Sequence, residues 1–205
     1  EEQLLCGVHI DEYKVVKPVP YVSLTQSNLF DKVPIYNDYI KQNQFVVFDV
    51  ETTGFDKDYN EIIEIGAVKV VEGKIVEQFQ TFICPESEIP KHITDLTTIT
   101  NDMVKDAPFI KDAITDFYKF CENCTLVGYN VEFDIGFIKS AGAKANLLFD
   151  NKSSDAMELA KSKLYLPRYK LINVVEALNI TLNNAHRAIA DAIATAYVFL
   201  KLNEI

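Results

Sequence analysis

The 205-residue sequence lacks several things that would place it quickly. It has no apolar run near the ~20 residues that a membrane-spanning helix needs, so no membrane partner is expected. Its start, Glu1-Glu2-Gln3, has no basic segment leading into an apolar stretch. A secretory signal is therefore not expected, and a cytoplasmic setting is. It has no internal repeat and no low-complexity tract. Basic residues are outnumbered: 20 Lys and Arg against 30 Asp and Glu, a net charge of −10. A protein that grips duplex by its phosphates usually carries a basic face. None is visible here, whereas an enzyme that holds one strand end through bound cations needs clustered carboxylates. Cysteines number only four, and Cys121-Glu122-Asn123-Cys124 has zinc-ligand or redox spacing without a second ligand pair. With three scattered histidines, no finger is completed, and ordinary thiols are expected.

What is present is an apolar fraction of 48%, enough for one α/β domain with a sizeable core. Residues 1–42 stand apart. They hold Pro18, Pro20 and Pro34, show no sustained helical period, and read as extended or irregular, with a short strand at Tyr13–Val16. Residues 43–205 form the main domain. Gln44–Val50 and Glu61–Val71 are Val-, Ile- and Phe-rich strands. Glu72-Gly73 turns the second into a third, Lys74–Cys84, making a hairpin. Pro85 and Pro90 bracket a loop, and a short helix falls within Leu96–Asp106. Helices are expected over Pro108–Cys121, Asp134–Ala145, Asp155–Lys163, Leu171–Leu178 and Ala188–Leu202, with a strand at Thr125–Tyr129. Strands first, then strand and helices mixed, give an α/β fold around a mixed sheet flanked by helices.

Three clusters carry chemistry. Asp49 and Glu51 are two apart on a strand, so both side chains leave one face while Phe48 and Val50 enter the core. Two acids at the end of an apolar strand are costly unless neutralised, and a divalent cation does this most simply. Thr52-Thr53-Gly54 then supplies small polar residues. The second cluster, Val127–Asp134, follows a short strand and opens a helix. It places Asp134 in the first turn, where the dipole favours an anion. The third is His186-Arg187-Ala188-Ile189-Ala190-Asp191. Five residues do not return to one helical face, so His186 belongs on the loop or first turn and Asp191 inside the helix. Ala188, Ala190, Ala192 and Ala194 permit close packing there. Singly, each cluster has an ordinary structural explanation; together and in this order they do not.

At this point the chain resembles the DnaQ-like, or DEDDh, exonuclease family. The resemblance runs through Phe-Asp-Val-Glu-Thr-Thr-Gly at 48–54, Glu61–Ala67, Leu96–Thr100, Tyr-Asn-Val-Glu-Phe-Asp at 129–134, Asp155 with Leu159 and Ala160, and His-Arg-Ala-Ile-Ala-Asp-Ala at 186–192. It covers about residues 43–203. It implies an RNase H-like fold and 3′→5′ hydrolysis of DNA to nucleoside 5′-monophosphates, as in the proofreading domain of bacterial DNA polymerase III (epsilon or PolC type). It gives two Mg²⁺ or Mn²⁺ ions to Asp49, Glu51, Asp134 and Asp191, with Asp49 bridging. His186 becomes the general base, since histidine titrates near neutral pH. Thr52, Leu96, Thr97 and Phe137 become candidates to hold the terminal nucleotide, and Asp155 a structural acid. Tyr129 and Thr98 depart from the family's His and Gly at those places. RNA trimming and a catalytically silent binding module stay open as alternatives.

Two further resemblances concern the N-terminal segment. Gln26, Leu29 and Phe30 have the form Gln-x-x-Leu-Phe, similar to peptides that dock bacterial replication proteins on the sliding clamp. Asp31–Asn37 resembles the segment before the exonuclease insert of PolC-type polymerases. The partners implied are single-stranded DNA 3′ ends, a DNA polymerase and a sliding clamp.

Overall fold

The computed structural model describes residues 44–182 and 185–204, together with the strand pair β1 (Val8–His9) and β2 (Lys17–Pro18). Tyr13–Val16, Gln26, Leu29, Phe30 and Asp31–Asn37 lie outside the described residues. Among the described residues no helix is long and apolar enough to cross a membrane.

The centre is a five-stranded mixed sheet. It is built from β3 (Gln44–Thr52), β4 (Ile62–Val71), β5 (Lys74–Phe82), β6 (Thr125–Gly128) and β7 (Ser153–Asp155), in the order β5-β4-β3-β6-β7. β3, β4 and β5 run antiparallel; β6 and β7 join parallel. The β4–β5 turn has Glu72 and Gly73 both at positive φ, 50° and 74°, the backbone a two-residue hairpin needs. β3 sorts its side chains by parity. Val46, Phe48 and Val50 enter one core with α3 (Ile110–Phe120) and α4 (Val131–Lys144). Phe45 and Val47 enter the other, with α5 (Ala156–Lys163), α6 (Leu171–Ala177) and α7 (Ala188–Leu202). Each large apolar side chain buried this way contributes about 1.5–3 kcal/mol before entropy is counted.

Two expectations need correction. Lys91–Thr97 is helix α1, where a loop was expected as far as Pro90 and a helix only from Leu96; Pro90 is its N-cap. Proline's fixed φ suits the start of a helix as well as a loop. A second short helix, α2 (Asn101–Val104), follows, capped by the Thr100 hydroxyl. Strand β7 was not expected at all. Its sequence, Ser-Ser-Asp, has no apolar alternation, and it exists because β6 offers a parallel edge.

Helix α7 lies unusually close to the sheet. A Cβ on Gly66 of β4 would stand 2.1 Å from the Ile189 backbone nitrogen. Only glycine admits this approach, and Gly66 pairs with Asp49 across the ladder. The third cluster is thus pressed directly against the first.

Candidate active site

Asp49 and Glu51 share the parity of Phe45 and Val47, so they face α7. Asp191, in the first turn of α7, meets them there. One carboxylate oxygen from each of Asp49, Glu51 and Asp191 lies within 4.8 Å of the others. β6 pairs with β3 only over Phe45–Val47. Beyond that limit the Val50 N–H donates to Asp134 Oδ1 at 3.0 Å, which ties Asp134 to β3 next to Asp49 and Glu51. Asp134 is buried.

The electrostatics follow from this crowding. Burial, then repulsion from Asp134, Glu51, Asp191 and Glu64, pushes the Asp49 carboxyl well above the usual range. Burial and then Asp191, Glu64 and Asp134 push Glu51 up to about 8, with Arg187 opposing. Burial raises Asp134 to about 8, against the hydrogen bond from Val50. Burial raises Asp191 to about 6, against the His186 N–H and the His186 charge. Four carboxyls raised together make a site that holds protons or cations. Asp191 Oδ1 is buried with no hydrogen-bond partner, an orphaned acceptor beside other carboxylates. An all-oxygen set of this kind fits a hard divalent cation.

His186 precedes α7. It is exposed, its φ is +65°, and its backbone N–H donates to Asp191 Oδ2 at 3.1 Å. The placement of His186 before the helix and Asp191 within it, inferred from the five-residue spacing, is the one observed. Thr52 is buried, its hydroxyl donating to the Gly54 carbonyl at 2.6 Å. Thr53 receives the Glu61 N–H on its hydroxyl, so the turn after the first motif is stitched to the start of β4. Phe137 is buried and packs on Phe133, with ring centroids 4.9 Å apart; Phe133 in turn meets the exposed Phe55 at 6.4 Å. Leu96 is half exposed. Thr97 is buried, its hydroxyl donating to Ile93 O and accepting from Ile99 N.

The two departures have physical explanations. Thr98 caps α1 in the left-handed region, φ 64° and ψ 2°, a conformation glycine adopts freely. Tyr129 donates its hydroxyl to the Tyr169 carbonyl at 2.7 Å, tying the second motif to the loop before α6. Asp155 caps two helices at once. It accepts Asn130 N–H and Val131 N–H at the head of α4, and Met157 N–H and Glu158 N–H at the head of α5. All four donors are backbone, which makes it the structural acid expected. Two residues escaped the sequence reading as participants: Gly66, described above, and Glu64, which is fully buried and held by Arg187. Their partners Arg187 and Ile189 lie more than 120 residues away, so the Glu61–Ala67 resemblance marked the segment without giving either residue a role.

Comparison with known proteins decides the family. The family described as Exonuclease (RNase_T) matches residues 46–199. The chain belongs to this exonuclease family. DNA polymerase III PolC-type of Caldanaerobacter subterraneus subsp. tengcongensis is 45% identical over 165 residues, covering 80% of this chain and 12% of the relative. The PolC-type polymerase of Clostridium perfringens is 44% identical over 168 residues, covering 79% of this chain and 12% of the relative. The 3′-5′ exonuclease DinG of Staphylococcus epidermidis is 38% identical over 162 residues, covering 78% of this chain and 18% of the relative. The chain therefore spans about an eighth of the PolC-type proteins it matches. Among solved structures, exonuclease I aligns with TM-score 0.69 at 20% identity over 80% of this chain and 43% of its own. Exonuclease X in complex with 5′ overhanging duplex DNA aligns with TM-score 0.63 at 24% identity over 77% and 90%. These likenesses fix the RNase H-like exonuclease fold.

Proposed function

We propose that residues 43–205 are a 3′→5′ exonuclease domain that shortens single-stranded DNA 3′ ends to nucleoside 5′-monophosphates, serving proofreading within a longer polymerase chain. The observation that carries this is the convergence of Asp49, Glu51 and Asp191 within 4.8 Å, with Asp191 Oδ1 unpartnered. The PolC-type relatives support the polymerase setting, and exonuclease I bound to a dT13 oligonucleotide supports a single-stranded substrate. Asp49, Glu51, Asp134 and Asp191 would hold two Mg²⁺ or Mn²⁺ ions. Bound divalent cations supply charge neutralisation and Lewis acidity at the scissile phosphodiester. His186, exposed beside Asp191, takes the proton of the attacking water. Thr52, Leu96, Thr97 and Phe137 are the residues proposed to hold the terminal nucleotide. Gln26, Leu29 and Phe30 are proposed to reach a sliding clamp.

The test is digestion of 5′-labelled single-stranded DNA with Mg²⁺, with Mn²⁺ and with EDTA. A ladder shortening from the 3′ end, lost with EDTA and with Asp191→Ala, is expected. Faster digestion of matched RNA would move the substrate assignment. An intact oligonucleotide under every metal condition would leave a silent module.

A further inference from the structure

Arg187 stands between His186 and the first residue of α7. Its Nε donates to Glu64 Oε2 at 3.1 Å and its Nη2 to Glu64 Oε1 at 2.9 Å. The guanidinium also lies over the Phe82 ring, 5.1 Å from its centroid. Glu64 has no exposed surface. It additionally accepts the Ala188 N–H at 3.1 Å and the Gln80 amide at 2.8 Å. Four donors thus engage a carboxylate that water does not reach.

A buried ion pair is a weak source of stability, because desolvation offsets most of its attraction. Its distinctive property is direction: a two-pronged guanidinium–carboxylate contact fixes both distance and angle. Helix α7 has its own anchorage in the Gly66 contact and the apolar face it buries. Asp191, inside that helix, is placed by the same packing. His186 is not. It precedes the helix, is exposed, and sits in a left-handed backbone conformation that is costly for a residue other than glycine. Its backbone N–H is held by Asp191 Oδ2 at 3.1 Å, and its neighbour Arg187 ties the same backbone to Glu64 of β4.

We propose that Arg187, gripped by Glu64, is a positioning residue for His186. The pair holds the backbone from which the imidazole reaches the reacting water, and its loss lowers turnover by releasing the base. This rests on the reading of His186 as general base.

The experiment is a cycle of four proteins: wild type, Arg187→Lys, His186→Ala, and both changes together. Arg187→Lys keeps the charge and loses the fork. Cleavage of 5′-labelled single-stranded DNA is followed under single-turnover conditions across DNA and Mg²⁺ concentrations. His186→Ala should slow cleavage by roughly a hundredfold or more. Arg187→Lys should slow it about tenfold in the wild-type background, with half-saturation by DNA and by Mg²⁺ unchanged. In the His186→Ala background the same change should matter less than about twofold, because the group it positions is gone. Should Arg187→Lys fold poorly, the Glu64→Gln, Arg187→Gln pair replaces it, and the same dependence on His186 is expected. An equal loss in both backgrounds, or no loss in either, overturns the positioning role. Near-full activity of His186→Ala overturns instead the assignment of the base on which the role depends.

Discussion

Glu51 and Glu64 stand directly opposite one another across the antiparallel pairing of β3 with β4. Like charges facing across a sheet repel, and both groups face the same helix. The fold resolves the conflict by giving them different partners. Glu64 receives Arg187, the Ala188 N–H and Gln80. Glu51 is left among Asp49 and Asp191, one carboxylate oxygen of each lying within 4.8 Å of the others.

That arrangement makes stability depend on pH in an unusual sense. A carboxyl whose pKa is higher in the folded chain holds its proton more firmly there. Its stabilisation is fully present below the unfolded values, 3.8 for aspartate and 4.5 for glutamate, and falls as pH rises through the folded ones. Those lie at about 6 for Asp191 and about 8 for Glu51 and Asp134. Metal-free protein should therefore melt at lower temperature at about pH 8.5 than at about pH 5.5. Mg²⁺ competes with those protons, so it should raise the melting temperature more at the higher pH. Thermal melts in EDTA and in Mg²⁺ at both pH values check this, and equal Mg²⁺ shifts at the two would refute it.

Asp49→Asn should separate stability from activity. It removes the most crowded charge while keeping the shape of the side chain. Metal-free stability should rise by about 1 kcal/mol, and hydrolysis should fall below detection. Urea unfolding and nuclease assay on one preparation decide the matter; a less stable variant would show that repulsion at the cluster has been overstated.

Thr98→Gly should stabilise the protein. Thr98 is exposed and β-branched, and sits at φ 64°. A left-handed conformation costs such a residue about 1–2 kcal/mol, partly offset by the greater freedom of glycine in the unfolded chain. A net gain of about 0.5–1 kcal/mol is expected in denaturant titration. A loss would mean that Thr98 makes a contact worth more than its strain.

Gly66→Ala should be severe. The added methyl would overlap the backbone of Ile189 and Ala188, which cannot rotate aside as a side chain could. Destabilisation of about 3 kcal/mol or more is expected, with activity lost in whatever folded protein remains. A variant of wild-type stability and activity would show that α7 can lift without cost.

Much of this was legible in the sequence because the relevant patterns are local. The Phe- and Val-rich run at Gln44–Val50 marked a strand, on which Asp49 and Glu51, two apart, leave one face, and the non-helical spacing of His186 and Asp191 put one before the helix and one within it. What the sequence hid is whatever depends on distant partners. β7 is a strand only because β6 pairs with it. Asp155 was expected only as a structural acid and proves to cap two helices, the second reached over 24 residues. Glu64 looks like an interruption in an apolar strand until Arg187 arrives from 123 residues away. The helix at Lys91–Thr97 was hidden for another reason, since Pro90 fits a loop and a helix start equally.

The contact of Gly66 with α7 has a consequence for how such a domain can drift in sequence. The gap between the acids of β3 and the acid of α7 is a backbone dimension, set where one main chain rests on another. It works as a mechanical stop. Apolar residues on either side of the sheet can exchange, and the two cores can repack, while the spacing of the carboxylates remains the thickness of a glycine.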